Sequence, residues 1–111
     1  MNEREGSQRL RQIFEAAGCS IVEGFRLPLA AGEVSLDGWD PARRIGYELI
    51  TTEAGDRAEF TPEVIAELEA KMRAAELFVF LVDEANIPSA GILERAAGRF
   101  LAQLRKQGAL A

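Results

Sequence analysis

A chain of 111 residues with net charge −5, 48% hydrophobic and 28% charged residues fits one domain, residues 1–111, whose core needs neither disulfide nor structural metal. One cysteine and no histidine exclude an intrachain disulfide, Ser-His and Cys-His nucleophile systems and the common zinc sites. No apolar run reaches the ~20 residues of a membrane helix, and the charged start MNEREGSQRLRQ lacks the apolar segment of a signal peptide, so a cytoplasmic location is expected.

The spacing of Leu10, Ile13, Phe14 and Ala17 predicts a helix over about Ser7 to Ala17, closed by Gly18. Cys19, at the join that follows, reads as a small buried hydrophobe. The stretch SIVEGFRL, with β-branched and aromatic residues, reads as a strand limited by Pro28. Two further strands, Glu33 to Trp39 and Arg44 to Thr52, flank the turn Asp40-Pro41-Ala42-Arg43, in which Pro41 fixes φ and Asp40 bonds back to the following amides.

The register of that hairpin follows from burial. Pairing Leu36 with Tyr47 puts Val34, Leu36, Ile45, Tyr47 and Leu49 on one core face. It leaves Ser35, Asp37, Trp39, Arg44, Gly46 and Glu48 together on an outer face. Asp37 and Glu48 are then diagonal neighbours about 7–8 Å apart, within reach of one cation. A soluble outer face is the other reading of the same residues, with Arg44 covering Trp39 through a cation–π contact.

After a loop holding Gly55 and Asp56, Thr61 and Pro62 open a helix with the stripe Ile65, Leu68, Met72 and Ala75. LFVFLVD, Leu77 to Asp83, has six apolar residues in a row and reads as a strand buried on both faces, central in its sheet. Pro88 and Ser89 open a last helix to about Lys106 with the stripe Leu93, Ala97, Phe100 and Leu104; Gly98 within it is read as a point of close packing. Asp83-Glu84 reads as a turn before that helix.

The order α-β-β-β-α-β-α defines an α+β fold: a single-layer mixed sheet of about four strands with covering helices. This order, with Asp37 on the second strand and Glu48 on the third, resembles the PD-(D/E)XK, or restriction-endonuclease-like, superfamily. The resemblance implies a Mg²⁺ site on Asp37 and Glu48, with Glu15 as an additional acid on the first helix, and metal-dependent nuclease or phosphodiesterase chemistry. The position of the family's lysine is Ile50, and Leu36 stands before Asp37 in place of proline. Lys71 or Arg44 then has to supply the missing positive charge.

Charge is uneven: residues 48–84 sum to −7 and residues 85–111 to +3. Arg95, Arg99, Arg105 and Lys106 are the candidate contacts for a phosphate backbone, and otherwise the solvated face of a terminal helix. The leading expectation is a small non-catalytic interaction or assembly module without a cofactor. It meets a protein partner, or a second copy in a homodimer, through a sheet face centred on Trp39 and Arg44 or through a sheet edge.

Overall fold

The computed structural model describes residues 2–51, 56–87 and 89–111. Thr52, Gly55 and Pro88, to which the sequence assigned a strand end, a loop and a helix start, lie outside the described residues. Helix α1, Glu3–Ala16, begins a turn before its apolar spacing does, because the Asn2 side chain accepts from the Glu5 amide and Glu3 and Glu5 occupy the positive end of the helix dipole. Gly18, at φ +105°, ends it as the sequence implied.

Strands β1 (Val22–Leu27), β2 (Val34–Asp40), β3 (Ile45–Ile50) and β4 (Phe78–Asp83) form one mixed sheet in the order β1-β2-β3-β4. The first two pairings are antiparallel, and β4 runs parallel to β3. Between β3 and β4 lie a one-turn helix α2 (Asp56–Glu59) and helix α3 (Pro62–Arg73); helix α4 (Ala90–Gln107) closes the chain. Thr61 caps α3 with Pro62 in its first turn, and Ser89 caps α4. Gly108, at φ +80°, ends α4 in the left-handed conformation.

The sheet is covered on both sides. Helices α1 and α4 pack Leu10, Phe14, Leu93 and Leu101 against Ile45, Tyr47 and Leu49 of β3 and Phe80 of β4. Helix α3 packs Val64 and Leu68 against Val34, Leu36 and Trp39 of β2 and Val79 of β4. Val34, Leu36 and Trp39 of β2 therefore serve a different core from Ile45, Tyr47 and Leu49 of β3, and Ile50 at the end of β3 joins the β2 side. The expected shared face does not exist, because β2, β3 and β4 have an oily layer on each side, while β1 stays largely exposed.

The hairpin register is also two residues away from the expected one: Gly38, not Leu36, faces Tyr47, and Trp39 faces Gly46. Glycine decides this. A Cβ at Gly38 would overlap the Tyr47 ring, and a Cβ at Gly46 would overlap the Gly38 carbonyl oxygen and the Trp39 ring. The two large rings thus lie across the two glycines, one on each side of the hairpin. Leu36 and Trp39, three apart, share the α3-side core, so β2 changes its facing at Asp37–Gly38; Gly24, at φ +61°, bends β1 beside it.

Two further expectations change. The α3 stripe is carried by Val64 and Leu68, with Ile65 and Met72 half-buried at its side. Gly98 meets nothing within 4 Å of a built Cβ and is exposed, so it marks no close packing. Gly98→Ala is expected to raise stability by about 0.5–1 kcal/mol in urea unfolding, since a free helix position gains propensity at no steric cost. A loss of stability would show that α4 meets a neighbour there.

Finally, β4 is an edge strand. Its sequence is that of a strand with neighbours on both sides, yet among the described residues no strand lies beyond it.

Candidate functional site

β2 and β3 share a ladder only over Gly38–Asp40 and Ile45–Tyr47. Beyond Gly38 and Tyr47 the strands part, and carboxylates take over the hydrogen bonding. The Asp37 amide donates to Glu48 Oε1 at 2.8 Å, and the Leu49 amide donates to Asp37 Oδ2 at 2.8 Å. One step further along β2, the Ser35 amide donates to Glu59 Oε1 at 2.7 Å. Three side chains thereby satisfy backbone donors that a continued ladder would have satisfied, the condition for keeping such groups inside a protein.

The two acids picked out by the sequence do come together. They enter the gap from opposite sides, though, and not side by side on one face. Asp37 lines a polar depression with Glu3, Arg4 and Glu23 on the α1 side. Glu48 alternates with Tyr47 and Leu49, which face the α1–α4 core, so its side chain leaves the sheet toward α3; it is 1% exposed. The facing change at Asp37–Gly38 is the reason for this difference from the expected parity.

Tyr47 lies fully buried beneath this gap, its hydroxyl without a hydrogen-bond partner among the described residues. Burial first, then the charge of Asp37, raises its pKa well above the ordinary phenol value, with Arg11 opposing and Glu15 adding. It stays neutral at any physiological pH.

The other residues named from sequence lie elsewhere. Glu15 pairs with Arg11 at 3.3 Å, and Arg11 also bonds Glu23. Lys71 lies 4.0 Å from Glu67, whose two oxygens accept from the Ala30 and Ala31 amides and tie α3 to the β1–β2 loop. Those two bonds hold the Glu67 carboxyl below its ordinary range. Arg44 covers the Trp39 ring at 5.6 Å, as expected, and donates to the Glu76 carbonyl at 2.8 Å.

Comparison of the chain with protein-family models, curated proteins and solved structures finds no match.

A divalent ion is the group that the resemblance would place in this gap. Such an ion takes six or more oxygen ligands, whereas among the described residues no group of three acids converges on a point. One oxygen of each of Asp37 and Glu48 already holds an amide. The cations that the resemblance required, Lys71 and Arg44, are engaged at other places. Among the described residues the two carboxylates close a divergent strand pair.

Trp39, expected at the centre of an interface, is 1% exposed and stacks on Phe25 at 6.0 Å between centroids. It is a core residue, because the sheet face it was assigned to is covered by α3. The basic residues Arg95, Arg99, Arg105 and Lys106 are exposed along α4.

A second place on the molecule has the character of a binding surface. Along the free side of β4 runs a groove of about 460 Å³, mostly apolar, between α3 and α4. Val79 and Leu81 form its floor, with Ile65 and Met72 of α3 on one wall and Phe100 of α4 on the other. The Phe78 amide donates to the Arg44 carbonyl at 2.9 Å, which fixes the phase of the strand. Phe78, Phe80 and Val82 turn their backbone groups toward β3, and Val79 and Leu81 turn theirs toward the groove. The signal in the sequence was the unbroken apolar run of β4. It was read as a central strand, since nothing in its own residues records which neighbour is missing.

Proposed function

We propose that this protein is a non-catalytic interaction module that receives an extended segment along the free edge of β4, adding a fifth strand to its sheet. The single observation that supports the reading is the mismatch between β4's composition and its position: a strand apolar on both sides stands at an edge, in an apolar groove. Exposed edges are blunted in most proteins by charge, proline or a covering element, and Phe78–Asp83 contains no positive charge and no proline. Strand addition uses the outward backbone groups for affinity and the flanking pockets for selectivity. Half-buried Leu81 supplies the former, with Val79 buried beside it, and the space beside Met72 and Phe100 the latter.

Selection of binders from a random heptapeptide library tests this reading. The peptides recovered are expected to bind the wild type and to fail on Leu81→Pro, which removes an outward donor and leaves the β3 ladder intact. Binders unaffected by Leu81→Pro, in a variant whose circular dichroism is unchanged, would contradict it.

A further inference from the structure

We infer that the polar depression between α1 and strands β1 and β2 binds a primary ammonium group, with the Tyr47 hydroxyl and the carboxylates of Glu23 and Asp37 as its acceptors. This site is separate from the β4 edge, and neither reading depends on the other. The depression holds about 450 Å³ and is lined by Glu3, Arg4, Ser7, Gln8, Glu23 and Asp37. Three carboxylates against one guanidinium make it a place for a cation. The positive end of the α1 dipole does not reverse this, because Glu3 and Glu5 occupy its first turn and the Asn2 side chain caps it.

Tyr47 supplies the second observation. Its ring runs from β3 across Gly38, where a Cβ would overlap the hydroxyl end of the ring; Gly38 follows Asp37 and pairs with Glu23. The hydroxyl is thereby delivered to the strand positions that line the depression. It is 0% exposed and has no hydrogen-bond partner among the described residues, a state that costs free energy until an occupant satisfies it. Asp37, Arg11 and Glu15 are the charged groups that act on it. Arg11 bonds Glu23 and Glu15 in exposed surface pairs, which are weakly held, so an incoming cation can take the place of Arg11 on Glu23. Asp37 is fixed in position by the Leu49 amide, which donates to its Oδ2 at 2.8 Å. A divalent metal needs six or more oxygens around one point. An ammonium needs fewer: its three N–H donors on one nitrogen are matched by two carboxylates and a phenol oxygen.

Titration of the full chain with n-propylammonium chloride, followed by the amide resonances of Glu23 and Gly38, makes the test. Tetramethylammonium chloride at the same concentration serves as a cation with no N–H to donate. Propylammonium is expected to give saturable shifts and tetramethylammonium none. Tyr47→Phe is expected to weaken propylammonium binding about tenfold. The same variant, free of amine, should be at least as stable as the wild type, because the hydroxyl it removes has no partner in the chain. Glu23→Gln, an exposed change, is expected to weaken binding as well. Tighter binding of propylammonium than of the peptide acetyl-Gly-Lys-Gly-amide would name a free amine as the source of the ammonium, and the reverse a lysine side chain; either supports the site. Absence of saturable shifts, equal response to the two cations, or binding unchanged in Tyr47→Phe would overturn the inference. A Tyr47→Phe protein clearly less stable than the wild type without amine would also overturn it, since a buried water would then already satisfy the hydroxyl.

Discussion

Trp39→Ala is expected to lower stability by about 3–5 kcal/mol, the range for removing a large aromatic side chain from a core. The side chain is 1% exposed, packs with Phe25 and the α3-side cluster, and lies over Gly46 where no Cβ intervenes. Its loss leaves a cavity that neighbours cannot fill without moving the hairpin, and it removes the ring under the Arg44 guanidinium. Chemical unfolding of the variant measures the effect. A Trp39→Ala protein as stable as the wild type would place the ring at a surface and contradict the buried hairpin described above.

Asp40→Ala is expected to cost about 2–4 kcal/mol, since one carboxylate holds several donors at once. Its oxygens accept from the Ser20 amide at 2.8 Å, the Ala42 and Arg43 amides at 3.0 Å, and the Arg43 guanidinium at 3.1 Å. The residue is 1% exposed. Burial by itself disfavours its charge, but the backbone and guanidinium hydrogen bonds outweigh burial and hold its pKa below the ordinary carboxylate value. A carboxyl whose pKa is depressed by folding contributes stability that is fully present above the unfolded value of about 3.9 and is lost as pH falls through the folded value. Wild type is therefore expected to lose stability in acid below about pH 4, with a smaller acid-dependent loss in Asp40→Asn. Equal acid sensitivity of the two proteins, measured by unfolding at pH 7 and pH 3, would show that Asp40 is not the anchor of the turn.

Most of the fold could be read from short-range signals. Thr61 and Pro62, Gly18, Gly108 and the Asp40-Pro41 turn each satisfy a local backbone requirement, and local requirements are written in adjacent residues. The element order followed, and with it the mixed four-stranded sheet. The hairpin register was not legible in the same way. Apolar residues on β2 and β3 were taken to share one face, whereas Val34 and Leu36 belong to the α3 side and Ile45, Tyr47 and Leu49 to the α1–α4 side. A sheet covered on both sides makes apolar pattern ambiguous, because each parity finds a core. The glycines resolve it: Gly38 and Gly46 are where two rings cross the hairpin, and their spacing from Tyr47 and Trp39 was the unused signal.

The candidate site was legible in part. Asp37 and Glu48 were found as a pair because both are acids interrupting strand sequence. Their role depends on where the ladder between β2 and β3 ends, a tertiary matter that also recruits Glu59 from outside either strand. The position of β4 at an edge depends on the strand order among the described residues, and composition alone assigned it the centre of the sheet.

Amide hydrogen exchange along β4, with and without a heptapeptide recovered from the library, tests the central claim most directly. In the free protein the Leu81 amide, which faces the groove, is expected to exchange at least about tenfold faster than those of Phe80 and Val82, which face β3. With the peptide bound, Leu81 should become as protected as its neighbours. Uniform slow exchange along β4 in the free protein, or protection by the peptide of some other surface, would contradict a free edge that receives a strand.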